Sequence, residues 1–521
     1  MSAPSFRVPG ISRRAFVGGG TALGGAVLLG ACSGGGGEPR SSLITPDDAR
    51  VGAVENGRAA TGREHEVTLT AAPTTLDLAG TAVSTWAYGT SVPGDELRVS
   101  AGDTVVAELV NDLPDPTSVH WHGPALRNDM DGVPGLTQDA VAPGERFTYR
   151  FVAANPGTHW FHPHVGTQLD RGLYVPFVVE DPDEPLSYDE EWVIVLDDWL
   201  DGVDGTPDDV LDELLQGMGH GMDGGTGHGG HGSGDDGEGP MRMGSALMGA
   251  TSDHLGGDAG DVHYPEYLVN GRPAGDPRTF EAAPGTRVRV RFVNAGGDTA
   301  FRVALGGHTM TVTHTDGYPV EHHEADALLI GMGERFDVLL TLADGAFPLV
   351  ALAEGKGRSA FAVVRTGGGL APGADARPEE LEGRVILATD LTADEGARLP
   401  EAVPHVEHRI ELTGGMTHFD WGLNGRRYDP ENPTGNAFRV AEGQRVRLTL
   451  TNGTGMWHPM HLHGHHFQVG DDGPRKDTVI LLPGQTLACD FDADNPGLWM
   501  THCHNVYHGE AGMMGVVGYS V

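Results

Sequence analysis

Cysteine is nearly absent. Three residues in 521, Cys32, Cys489 and Cys503, exclude a disulfide framework. Positive charge is scarce too, with 34 Lys and Arg against 73 Asp and Glu and a formal net charge of −39. Such a chain repels nucleic acid and anionic lipid head groups, which excludes both as partners. Its field favours cations, metal ions included, and also serves solubility. Long helical patterns are few, whereas 80 Gly and 34 Pro impose frequent turns, and together these predict an all-β architecture. The length exceeds what one hydrophobic core organises, so two to four domains are expected.

One apolar run stands out near the N-terminus, and it is too short to span a bilayer comfortably. Ser12-Arg13-Arg14 with Phe16, followed by this run, resembles a twin-arginine export signal. That implies the twin-arginine export machinery as a partner and a location outside the cytoplasmic membrane. Leu29-Gly30-Ala31-Cys32 resembles a bacterial lipoprotein cleavage box. Lipidation at Cys32 would anchor the chain to the outer face of the membrane; simple cleavage would leave it secreted or periplasmic. Residues 1–32 therefore read as a signal and 33–63 as a flexible tether.

The body contains an internal repeat. "GDTVVAELVN" from Gly102, "GTRVRVRFVN" from Gly285 and "GQRVRLTLTN" from Gly443 share Gly, Val and Asn at the same offsets and alternate as half-buried strands do. The expected organisation is a domain at 64–182, a second at 183–366 with an insertion at about 201–262, a linker at 367–400 and a third domain at 401–521. Pro143–His164 and Pro483–His504 align without a gap, which pairs Cys489 with Tyr149 and marks it as a buried core thiol.

The first and third units each carry two His-x-His pairs: His120 and His122, His162 and His164; His461 and His463, His502 and His504. One pair is weak evidence, but four in symmetric places are specific. Eight converging imidazoles suit copper, zinc or iron. The middle unit has no such pair and reads as a spacer. The third unit adds His458, Cys503, His508 and Met513 where the first has Thr117, Pro163, Gln168 and Leu173. Two imidazoles, a thiolate and a thioether form the ligand set of a blue-copper site, whereas zinc rarely takes a thioether. Successive strand residues face opposite ways, so Cys503 turns from His502 and His504.

"HWHG", "HPH", "HPMHLHGH" and "HCHNVYHGEAGM" resemble the signatures of three-domain bacterial multicopper oxidases, the laccase and copper-tolerance cuprous oxidase group, over essentially the whole mature chain. The resemblance implies three cupredoxin-like Greek-key β-sandwich domains and four copper ions. By motif, the type 1 copper would take His458, Cys503, His508 and axial Met513, and the type 2 copper His120 and His461. One type 3 copper would take His122, His162 and His504, and the other His164, His463 and His502. Substrate would be oxidised one electron at a time and O2 reduced to water.

Asp131, in "NDMDGVPG", matches an acidic residue that laccases place near the type 2 copper as a proton relay; the alternative is a turn aspartate before Gly132. Several bacterial relatives carry a glutamate directly after the last type 1 histidine, where this chain has Gly509 and then Glu510, which shifts the weight onto Asp131. Gln216–Gly249 is rich in Gly, Met and His. Met218, His220, Met222, Met241 and Met243, with Met456, are candidate contacts for incoming Cu(I); a plain linker is the alternative reading of the segment, and simple packing near the site the alternative for Met456. Cu(I) is the expected reductant, with phenols and aromatic amines the alternative and a non-catalytic copper-binding protein a further one. His322 and His323, expected in a polar loop, and His314, an isolated strand residue, are left out of the metal sites, and His465 and His466 are outer hydrogen bonders at most.

Overall fold

The structure, a computed structural model, describes residues 42–217 and 240–521. Three pairs of β-sheets follow one another along the chain: four strands on four, seven on six, and six on five. Each pair encloses alternate apolar side chains, as Val105, Leu109, Trp121, Phe151 and Phe177 do in the first.

The sequence repeat marks one structural position used three times. Thr104–Asn111, Arg287–Asn294 and Arg445–Asn452 each pair parallel to an earlier strand and antiparallel to a later one. The asparagine closing each copy has a reason to be there. Asn111, Asn294 and Asn452 are buried, and each donates through Nδ2 to two carbonyls further along the chain, at 2.6–3.0 Å. Each Oδ1 accepts from the backbone N–H two residues on. An amide side chain thus ties the end of its strand to buried backbone groups of later segments.

The histidine pairs occupy equivalent ladders in the outer sandwiches. His120–His122 lies antiparallel to Gly157–His162, with His120 opposite His162. His458–Leu462 lies antiparallel to Leu498–Cys503, with His461 opposite His502 and Met460 opposite Cys503. The two sandwiches meet through Asn128, which exchanges hydrogen bonds with both backbone groups of Leu498, at 2.6 and 3.1 Å.

Three expectations need correction. From Ser42 onward the segment expected as a flexible tether is folded: Leu43 bridges to Ser520, Ile44 and Val51 are buried, and Asp48 caps the helix Ala49–Gly57. The expected linker carries the strand Val385–Ile386, which joins the six-stranded middle sheet beside Ala327–Ile330. His322 and His323 lie exposed on the strand Tyr318–Ala325, not in a loop. The insertion carries the helix Pro207–Leu215, capped by Thr206, and the hairpin of Met241–Met243 with Ala246–Met248. Among the described residues no helix is long and apolar enough to cross a membrane.

Phe301, fully buried in the middle sandwich and edge-on to Tyr267, tests the packing. Phe301→Ala should lower the unfolding free energy by about 3–5 kcal/mol, read as a lower denaturant midpoint; a shift worth less than about 1 kcal/mol would contradict it.

Candidate metal centres

Between the first and third sandwiches, seven buried histidines and half-buried His164 share one interior. His122 stacks on His461 with ring centroids 3.8 Å apart, and His120 on His463 at 3.7 Å. Most rings have one nitrogen tied down. His120 Nδ1 donates to the Asp131 carbonyl, His162 Nδ1 to that of Pro163, His461 Nδ1 to that of Asp477 and His502 Nδ1 to that of Cys503, at 2.8–2.9 Å. His122 is reversed, donating through Nε2 to Asp477 Oδ1 at 2.9 Å.

The nitrogens left over are buried without a hydrogen-bond partner: Nε2 of His120, His162, His164 and His461, Nδ1 of His122, and both of His504. They converge in groups: His120, His122 and His461; His122, His162 and His504; His164, His463 and His502. His463 and His502 bring Nε2 atoms within 3.1 Å of each other. Burial pushes His122, His162, His164, His463, His502 and His504 well below the usual imidazole range, with neighbouring imidazoles reinforcing it. The rings are therefore neutral, and a neutral ring offers a lone pair at its untied nitrogen. That is the state a metal requires.

A second centre lies across the strand. Nδ1 of His458 and Nδ1 of His508 are 3.1 Å apart, and Cys503 Sγ lies 3.6 and 3.8 Å from them. Here the outer nitrogens are occupied, His458 Nε2 by Thr454 Oγ1 and His508 Nε2 by Asp261 Oδ2, both at 2.8 Å. Asn505 caps the short helix Val506–Glu510, accepting from the N–H groups of Tyr507 and His508, and so aims His508 inward. Met513 is fully buried, and its backbone bonds to Cys503 N–H and the His508 carbonyl return it to this site. Trp421 packs over His508 at 4.3 Å. Burial opposes a proton on His508, yet Asp261 and Cys503 outweigh it and push the ring up to about 10, so copper binding here would displace the proton on Nδ1. Thiolate, imidazoles and thioether in a dry pocket fit copper.

The multicopper oxidase family matches three stretches, residues 70–184, 248–369 and 402–520. Multicopper oxidase MmcO of Mycobacterium tuberculosis is 48% identical over 506 residues, covering 96% of this chain and 95% of that one. The chain belongs to the multicopper oxidase family. It is a copper-dependent oxidoreductase with O2 as acceptor. A copper resistance protein A homolog of Pseudomonas syringae is 29% identical, covering 86% of this chain and 91% of its own. A solved multi-copper oxidase from Pseudomonas thermotolerans superposes with a TM-score of 0.64 at 27% identity, over 88% of this chain and 99% of that one.

In this multicopper oxidase two carboxyl groups besides Asp477 border the histidines. Asp131 is fully buried; Oδ2 accepts from His463 Nδ1 at 3.0 Å, while Oδ1 has no hydrogen-bond partner. It is a turn residue as well, since a Cβ on Gly132 would overlap the Val119 carbonyl. Glu510, which the sequence reading set aside, lines a cavity of about 30 Å³ with His162, His164, His502 and His504. Burial pushes its carboxyl up to about 7.

The other candidates separate. Met241 and Met243 are exposed on their hairpin. Met456 is buried in the hydrophobic core, which removes it from the surface that incoming Cu(I) would meet. Met218, His220, Met222 and Cys32 lie outside the described residues. Cys489 is a buried core thiol, and His465 donates to or accepts from Tyr519 Oη at 2.6 Å.

Sequence reasoning missed what the middle sandwich supplies. Among the described residues it holds none of the grouped histidines, but Asp261 reaches His508, and the turn at Gly333 packs on the cluster. Gly333 has φ +84°, and a Cβ there would stand 2.8 Å from His504 and 3.0 Å from His122. The only signal in the sequence was "MGERF", a glycine before two charges entering an apolar strand. Gly333→Ala should cost about 1–3 kcal/mol in backbone strain and lower the copper retained per chain after dialysis, with the Cys503 centre unaffected; unchanged copper content would refute this.

Proposed function

We propose that this multicopper oxidase oxidises Cu(I) as its reductant and holds four resident coppers. His458, Cys503, His508 and Met513 would hold the type 1 ion, and His120 with His461 the type 2. His122, His162 and His504 would hold one type 3 ion, and His164, His463 and His502 the other. Bound copper supplies one-electron redox chemistry, so that four Cu(I), one O2 and four protons give four Cu(II) and two waters.

One observation carries the reading. The strand Leu498–Cys503 and its next residue serve both donor sets at once, Cys503 in one and His502 and His504 in the other. A storage protein has no use for that covalent link. Asp131, whose carboxylate accepts from His463 Nδ1 and whose backbone carbonyl accepts from His120 Nδ1, would serve as the proton relay. The exposed thioethers of Met241 and Met243 support Cu(I), a soft ion. Their hairpin is tied to the type 1 side, because Leu247 N–H donates to the carbonyl of Asp261, whose carboxylate accepts from His508. The excess of acidic residues draws cations in the same direction. Residues 1–32 would direct export, with Cys32 as a lipid anchor.

O2 uptake on Cu(I) and on a methoxyphenol, at matched concentrations, tests the substrate. Uptake should be faster on Cu(I), and Met241→Ala with Met243→Ala should slow it about tenfold or more while leaving the phenol rate alone. Faster turnover on the phenol, insensitive to both changes, would make the enzyme laccase-like. Asp131→Asn should slow O2 consumption by roughly 10- to 100-fold, the usual cost of losing a partner of a metal-bound histidine, with anaerobic reduction of the Cys503 centre unchanged. Full O2 turnover in that variant would remove Asp131 from proton supply.

A further inference from the structure

We infer that Arg335, from the middle sandwich, is the positioning residue that sets which nitrogen of His122 faces the histidine cluster, acting through Asp477. The inference rests on the reading that His122 and His461 hold copper.

Arg335 is fully buried and makes four hydrogen bonds into two other sandwiches and its own turn. Nη1 and Nη2 donate to Oδ1 and Oδ2 of Asp477 at 2.7 and 2.6 Å, a two-pronged grip on one carboxylate. Nε donates to the Thr158 carbonyl at 3.0 Å, on the strand that ends at His162, and Nη1 also to the Gly333 carbonyl at 3.0 Å. One guanidinium therefore binds the first, second and third sandwiches at a single point.

Asp477 turns that grip into ligand orientation. Both its oxygens accept from Arg335, so it is an acceptor only, and a histidine facing it must donate. His122 does so through Nε2 at 2.9 Å. The proton on Nε2 leaves Nδ1 bare, and Nδ1 is the buried nitrogen without a partner. The Asp477 backbone carbonyl accepts from His461 Nδ1 at 2.9 Å, freeing Nε2 of that ring in the same way. His122 and His461 are the pair stacked at 3.8 Å. Asp477, together with the Thr478 hydroxyl that donates to it at 2.9 Å and lies 3.1 Å from both rings, thus fixes one ring from each outer sandwich, and Arg335 fixes Asp477.

The surroundings are built for a guanidinium. Gly123, after the first histidine pair, has φ +110°; a Cβ there would overlap His159 Nδ1 and stand 2.8 Å from Arg335 Nη2. Asp316 Oδ1 accepts from the Arg335 backbone N–H at 2.8 Å, and its Oδ2 from those of Asp477 and Thr478 at 3.3 and 3.1 Å. Lys476 stands 3.1 Å from Asp316 and 3.3 Å from Glu334. Lysine in place of Arg335 would keep the charge but not the fork.

The test is Arg335→Met, Arg335→Lys and Asp477→Asn in the full chain loaded with Cu(II). The readouts are copper per chain, the visible thiolate-to-copper absorption and the paramagnetic resonance spectrum. Arg335→Met and Asp477→Asn should keep the Cys503-dependent absorption, which reports a folded chain, while cluster copper affinity falls about 10- to 100-fold and the type 2 resonance changes. Arg335→Lys should fall between these and wild type. Wild-type copper content and resonance in Arg335→Met would overturn the inference. Should that variant fail to fold, Arg335→Lys decides, and an unaltered type 2 resonance there overturns it equally. A wild-type chain that binds copper only at the Cys503 centre would instead defeat the reading of the cluster.

Discussion

Packing eight imidazoles into one dry interior is possible only while they are neutral, because eight imidazolium ions there would meet both a desolvation penalty and mutual repulsion. Neutrality alone would leave the tautomers undecided. Backbone carbonyls and two aspartates settle most of them by accepting a proton from one nitrogen of a ring, which turns the other nitrogen inward. The rest of the architecture serves this arrangement. Two sandwiches bring equivalent ladders together, the asparagines at 111, 294 and 452 hold the connections, and Asn128 docks one sandwich on the other.

The middle sandwich is where a reading by ligands alone falls short. It contributes none of the grouped histidines, yet Asp261 orients His508 from one side and the turn Gly333–Arg335 closes the cluster from the other. A metal site needs its ligands held in one tautomer and one orientation, and outer hydrogen-bond partners do that work. The third domain's strand carries the chemistry, while the second domain carries much of the order that the chemistry relies on.

Most of the grouped donor residues were legible because the pattern that carries them is local. His-x-His pairs follow strand alternation, and the gapless match of Pro143–His164 with Pro483–His504 aligns one ladder on the other. The apolar alternation announced the repeat strands, and the offset that paired Cys489 with Tyr149 announced a core thiol. Glu510 and Met456 could not be placed from the sequence for one reason. Whether a side chain lines a cavity or sinks into the core depends on what packs over it from elsewhere in the chain. The helix Ala49–Gly57 was missed because its composition is that of a tether; the Asp48 cap, the burial of Val51 and the docking of the preceding Leu43 and Ile44 on Ser520 and Tyr519 give the segment order.

By itself the sequence determined the all-β class, the threefold repeat and which residues are capable of holding copper, since strand period and ligand chemistry are properties of near neighbours. Only the tertiary structure decided which nitrogen each ring presents, that Asp131 sits between His120 and His463, and that Arg335 grips Asp477 from 142 residues away. Those outcomes are hydrogen bonds between remote segments in a medium too dry for water to compete. No pattern along the chain records them.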